Sequence, residues 1–215
     1  MKTASTRDIK SHWNKIYSQN DTEKLGWYEE SPRPSLHLIE KCHLPKHARV
    51  LNVGAGSTTL IDELIKMGYR QLIATDISEV AINNIKDRLG TTISASIQWI
   101  VDDLTNPKKL RKIPPVDLWH DRAVLHFFLT KKEQQIYFDL LKKLVKPRGY
   151  VIIAAFNLQG AEKCSGLPVF RYDQNMLAER LGDQFRLVEA FDYTYAMPTG
   201  DLRPYVYALY KRLSD

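Results

Sequence analysis

Two glycines and one aspartate carry the plainest chemistry in this chain. Gly54 and Gly56 interrupt the run Val50-Leu51-Asn52-Val53-Gly54-Ala55-Gly56-Ser57-Thr58-Thr59-Leu60. An apolar stretch of strand character enters the turn, and a helix-like periodic segment leaves it. Glycine lets a backbone approach a ligand where a Cβ would block it. At the carboxyl end of a strand, such a turn forms a nucleotide-sized cradle. The next apolar run, Leu72-Ile73-Ala74-Thr75-Asp76, ends in an acid where a ribose would lie. Together they imply an adenosine-containing cofactor; for the turn alone, a glycine turn that binds nothing is the plain alternative.

Two cofactor chemistries compete for the pair. A nicotinamide or flavin site wants G-x-G-x-x-G, with the pyrophosphate on the helix N-terminus and a third glycine for close helix–strand packing. Thr59 stands at that third position. S-adenosylmethionine carries no phosphates and makes no such demand.

These residues need a scaffold of alternating strands and helices. Ile9, Trp13, Ile16 and Tyr17 share one face of a helix over 8–19. Ser31-Pro32 predicts the start of a second helix running to about Cys42, with serine as cap and proline in the first turn. Strands over 49–53, 71–75, 96–101, 116–120 and 150–156 alternate with helices near 58–67, 79–89 and 131–145, and Ser78 is an expected N-cap. This rhythm implies a parallel sheet covered on both faces. The tail breaks it: after a helix near 173–182, runs over 185–195 and 205–212 read as a hairpin that adds one antiparallel strand. One domain over 1–215 is expected, with amino-terminal helices and a lid over 1–45 and a Rossmann-like core over 46–215.

Composition excludes several classes. No run approaches the ~20 apolar residues of a membrane span, and MKTASTRDIKSHW has no apolar signal segment. Cys42 and Cys164 lie outside any metal-ligand or CxxC spacing. A reduced, cytoplasmic protein without a bound metal is expected. The net charge of +6 gathers in Lys108-Lys109-Leu110-Arg111-Lys112 and around Lys142-Lys143-Leu144-Val145-Lys146. Such patches attract anions or RNA, but they read equally as solvated surface.

The ordered strand ends resemble those of class I S-adenosylmethionine-dependent methyltransferases, over essentially residues 10–215. The resemblance implies an α/β, Rossmann-like doubly wound seven-stranded sheet of order 3-2-1-4-5-7-6 with strand 7 antiparallel. It implies S-adenosylmethionine as cofactor, held by Asn52, Gly54, Ala55 and Gly56 in the first motif. Asp76 would take the ribose and Ile77 face the adenine, with Asp103 and Leu104 at its amino edge. Asp121 and Arg122 would lie beside the methionine part, and Lys146-Pro147-Arg148-Gly149 match the turn before the fifth strand. His12-Trp13-Asn14-Lys15-Ile16-Tyr17 with Trp27-Tyr28 resemble a subgroup that includes the elongation-factor lysine methyltransferases. There Trp13, Tyr17 and Trp27 would close an aromatic lid over a cationic sulfonium; simple packing of the helix on the sheet is the alternative. Asn52 replaces the family's usual acid and Thr58 its frequent third glycine, which predicts weaker hold on the cofactor's amino group.

Methyl transfer is an in-line displacement that positioning and desolvation largely drive. A base is needed only for a protonated, weakly acidic acceptor. His120, Asp121 and His126 are the candidates; the plain reading of His126 is that it caps or fills a helix, and that of Asp121 is that it only holds Arg122. The loop over 157–172 is expected to shape an acceptor pocket with Tyr28 and Tyr172, and Cys164 to be a spectator. Missing from the fourth strand end are the acid-Lys-Gly-Thr-x-Asp run of the lysine-modifying relatives and an Asn/Asp-Pro-Pro-aromatic run. A small-molecule acceptor is therefore expected. A protein side chain and a non-catalytic cofactor-binding protein are the alternatives, and neither nucleic acid nor membrane is expected as a partner.

Overall fold

The computed structural model describes residues 6–214. Helix α1, Thr6–Gln19, leads to α2, Arg33–Lys41. Ser31 does not cap α2. Pro32 occupies the cap position without a side-chain bond, and Pro34 sits in the first turn, where a missing N–H leaves nothing unpaired. Strand β1, Arg49–Val53, is followed by α3, Leu60–Lys66, then β2, Gln71–Asp76, and α4, Glu79–Ser94. Ser78 caps α4 as its sequence predicts, accepting the Ala81 N–H at 3.1 Å. Gly90, at φ 76°, breaks α4 close to its expected end.

Strand β3, Gln98–Val101, and β4, Val116–Arg122, complete the first half of the sheet. Helix α5, Lys131–Leu144, opens on a capping box between Thr130 and Glu133. Strand β5, Val145–Phe156, absorbs the expected turn at Pro147-Arg148-Gly149 as a register shift against β4, with Arg148 at φ 64°. A short hairpin follows, β6 Lys163–Cys164 and β7 Leu167–Pro168. Ser165 and Gly166 both hold positive φ there, the signature of a type I′ turn. Helix α6, Gln174–Leu181, then β8, Phe185–Ala196, and β9, Leu202–Arg212, end the chain.

The seven-stranded sheet runs β3-β2-β1-β4-β5-β9-β8, with β9 antiparallel to both neighbours. Counting only these strands, this is the expected order 3-2-1-4-5-7-6. Side chains alternate between two cores, one on each face. Leu51, Val53, Trp119 and Ile153 pack with Tyr137 and Phe138 of α5. Val50, Leu118, Ile152 and Ala154 pack with Leu38 and Ile39 of α2 and Leu60 of α3. The same alternation sends successive residues at the end of β4 to opposite faces.

Candidate cofactor and acceptor site

A cavity of about 460 Å³ opens at the carboxyl ends of β1, β2, β3 and β4. The Gly54–Gly56 turn forms part of its floor. Both glycines hold positive φ, at 59° and 50°, a region that L side chains rarely adopt. A Cβ on Gly54 would overlap Cγ2 of Val124, and one on Gly56 would press on the Tyr17 hydroxyl. The turn is therefore packed too closely for any other residue.

Asp76 pins this turn to the end of β2. Its Oδ2 accepts the Gly56 N–H and its Oδ1 the Ser78 N–H, each at 2.8 Å. Burial pushes its carboxyl up to about 6 against those backbone donors. The carboxylate lines the cavity with lone pairs to spare, and no cation among the described residues pairs with it. Such a group fits vicinal hydroxyls, which bring protons without charge.

At the next strand end Asp103 Oδ1 accepts from the Thr105 N–H and hydroxyl, at 2.8 and 2.7 Å. Asp103, Leu104 and Ile77 all line the cavity. Asp102 is also on the wall, but its carboxylate takes the N–H groups of Lys108, Lys109 and Leu110 and shapes that loop. Val124, Phe128 and Leu129 add apolar wall to the cavity. The sequence reading passed over this run, although apolar residues just past a strand end are a usable signal.

Trp13 and Tyr17 of α1, with Trp27, form the roof. Their rings meet edge-on or tilted: Trp13 lies 5.5 Å from Trp27 and 5.2 Å from Phe127, and Tyr17 lies 5.9 Å from Trp27. These aromatics pack on one another and also line the cavity. Cys164, Leu167 and Pro168 of the small hairpin also line the cavity, and Leu167 packs against the roof aromatics. The Ser165 hydroxyl lies 3.5 Å from Nε2 of His12, so the hairpin meets α1 there. Of the expected partners of this loop, Tyr172 is buried against Phe170 and Tyr28 is half-buried; neither lines the cavity.

The three residues expected to act as bases are not brought to the cavity wall. His120 faces α2. Burial and the Arg122 charge lower its pKa to about 3, so it is neutral: Nδ1–H donates to Asn52 Oδ1 at 3.0 Å and Nε2 accepts from Ser35 at 2.9 Å. Asp121 faces α5 and takes the Tyr137 hydroxyl at 2.7 Å together with the Val124 and Leu125 N–H groups. Burial raises its carboxyl to about 7 against those donors. His126 accepts the Phe156 N–H at Nδ1 and packs edge-on against Phe127 and tilted against Phe156, with its pKa lowered to about 3 by burial and by Arg122. Residue type suggested acid–base chemistry at these positions, and their partners have taken up the capacity for it.

Arg122 does reach the cavity. It also lines a side pocket of about 40 Å³ with Trp27, Glu29, Asn52, Gly54, Ala55, Gly56 and His120. Glu29, absent from the sequence reading, stands 2.9 Å from Arg122 Nε. The residues present can therefore hold S-adenosylmethionine: hydroxyl acceptors and an apolar slot at the Asp76 end, paired charges at the other.

Comparisons with known proteins agree with this geometry. A family model described as a methyltransferase domain matches residues 50–149. The mouse protein EEF1A lysine methyltransferase 2 is 24% identical over 171 residues, covering 74% of this chain and 69% of that one. A solved methyltransferase from Anabaena variabilis superposes with a TM-score of 0.78 at 12% identity, covering 98% of this chain and 96% of that one. The 1,6-didemethyltoxoflavin-N1-methyltransferase of Burkholderia thailandensis, solved with S-adenosylhomocysteine, gives 0.67 at 16% identity, covering 100% and 93%. Glycine turn, strand-end acids, sheet order and these likenesses converge: residues 50–149 match a methyltransferase domain, and the chain has the fold of S-adenosylmethionine-dependent methyltransferases.

Proposed function

We propose that the chain methylates a small molecule held in the roofed part of the cavity. The observation that carries this reading is the roof itself. Trp13, Tyr17 and Trp27, with Leu167 packed against them and Pro168 beside it, line a mostly apolar chamber. An enclosed apolar chamber suits a compact ligand.

S-adenosylmethionine supplies the electrophilic methyl group. Asp76 would accept from the ribose hydroxyls, Ile77 and Val124 would sandwich the adenine, and Asp103 with the Leu104 N–H would take its edge. Trp13, Tyr17 and Trp27 would exclude water and present aromatic faces to positive charge. The thiol and the phenol of the roof are held protonated near neutrality: burial raises Cys164 to about 11, and burial, then Asp76, push Tyr17 well above its ordinary value. The acceptor atom would therefore arrive with a free lone pair, as a thiolate or a neutral ring nitrogen does.

A second reading, methylation of a protein side chain, is favoured by the lysine methyltransferases among the relatives. Incubation of the enzyme with tritiated cofactor and whole-cell lysate separates the two. Label in the small-molecule fraction is expected; label confined to precipitated protein would overturn the proposal.

A further inference from the structure

The side pocket beside the glycine turn carries charges that the strand-end motifs do not explain. Of its lining residues Glu29 is the only carboxylate and Arg122 the only guanidinium. Glu29 is held in place by its surroundings. Three successive backbone carbonyls around it each accept a side chain from a different element. Arg122 Nη1 donates to Trp27 at 2.9 Å, the Tyr195 hydroxyl to Tyr28, and Thr59 Oγ1 to Glu29 at 2.9 Å. A segment anchored this way presents its carboxylate without further ordering.

Around the same pocket several N–H donors are buried without partners among the described residues. They are Trp27 Nε1, Asn52 Nδ2 and Arg122 Nη2. Unpaired buried donors are costly, and together they suit an anionic group. Asn52 is a donor here because His120, neutral and backed by Ser35, already occupies its carbonyl oxygen. The resemblance to the methyltransferases expects an acid at position 52 to take the cofactor's ammonium. Asn52 carries no charge to match an ammonium, and its oxygen already shares one of its two lone pairs with His120.

We propose that Glu29 supplies the displaced negative charge: its carboxylate holds the ammonium of the cofactor's amino-acid end, and Asn52, Trp27 and Arg122 offer N–H groups to its carboxylate. A zwitterion in a buried pocket needs both signs opposite it, and Glu29 with Arg122 provides them. Burial keeps the Glu29 carboxyl above its ordinary range despite the neighbouring guanidinium, so a second positive group there would be favourable. The proposal rests on the methyltransferase reading and assigns this chain's own way of gripping the end of the cofactor distal to adenosine.

Calorimetry with three probes tests it on the intact chain and on Glu29→Gln. S-adenosylhomocysteine has both ammonium and carboxylate, its des-amino analogue only the carboxylate, and 5′-methylthioadenosine neither. Glu29→Gln should weaken S-adenosylhomocysteine roughly 10- to 100-fold, the range of one charged hydrogen bond, and leave the other two nearly unchanged. Equal weakening of all three would make Glu29 a support of the fold, and no weakening would make it a bystander; either overturns the proposal. Retained binding of 5′-methylthioadenosine shows that the variant is folded. Should the unmodified chain bind none of the three, the methyltransferase reading itself would fail.

Discussion

At one end of the cavity Asp76, Ile77, Asp103 and Leu104 sit on the tips of adjacent strands, and the two carboxylates are held by groups near them in sequence or in the neighbouring turn. At the other end Arg122, Glu29, Trp27 and Cys164 come from distant segments, tied by side chains that cross between elements. The first end is a product of sheet topology, because a parallel sheet delivers its strand ends to one edge. The second is a product of tertiary packing.

The largest effect should come from cutting the ties of the second end. Arg122 donates to Tyr207 and the Trp27 carbonyl, pairs with Glu29, and lies over the rings of Tyr195 and Tyr205. Arg122→Met leaves a buried carboxylate and carbonyl without their partner. A loss of about 3–5 kcal/mol in urea-denaturation stability is expected. A loss below about 1 kcal/mol, the value of an exposed ion pair, would show that this end does not depend on its crossing contacts.

A smaller and differently shaped effect is expected at the first end. Asp76→Ala should weaken S-adenosylhomocysteine and 5′-methylthioadenosine by the same roughly 1.5–3 kcal/mol, since both carry the ribose. Unequal losses would mean that Asp76 serves the amino-acid end as well. The pH dependence follows from the raised carboxyl. A ribose hydroxyl donates to the ionised form, so binding favours loss of the proton. Affinity then rises with pH up to the free-state value of about 6 and flattens above it. Both probes should bind about 10-fold more weakly at pH 5 than at pH 7.5, and a flat profile would remove the buried carboxylate from the ribose site.

The same contrast decides what could be read without coordinates. The glycine turn and Asp76 were legible because each lies within a contiguous run whose backbone conformation and strand end follow from local residues. Ser78 as a cap, the end of α5 and the antiparallel tail were legible for the same reason. Ser31 misled because a serine before a proline looks like a cap, while here the chain enters α2 at Pro32. His120 and Asp121 have residue types that suggest acid–base chemistry, but alternation along β4 puts them on opposite faces, where Ser35, Asn52 and Tyr137 hydrogen-bond them. Glu29 was invisible because its partner Arg122 meets it only when β4 and the amino-terminal segment are packed together. Nor did the type I′ turn at Ser165-Gly166 stand out, since its two short strands pair for only two residues each.

Helix α1 joins the two ends, and its attachment gives the smallest of these effects. The helix is fastened at the Asp76 end: the Ser78 hydroxyl donates to Asn14 Oδ1 at 2.7 Å, and Asn84 Nδ2 to the Tyr17 carbonyl at 3.1 Å. Its aromatic face, Trp13 and Tyr17, roofs the rest of the cavity. Asn14→Ala removes one neutral hydrogen bond, about 0.5–1.5 kcal/mol, while Ser78 keeps the Ala81 N–H and so continues to cap α4. Global stability should change little, and amide exchange should quicken in α1 but not in β2 or α4. If α4 loosened equally, Asn14 would belong to the packing of the first end; if neither did, the aromatic contacts alone would hold the roof. Faster exchange confined to α1 would identify this hydrogen bond as the hinge-side anchor of a lid whose covering face lies over residues assembled from elsewhere in the chain.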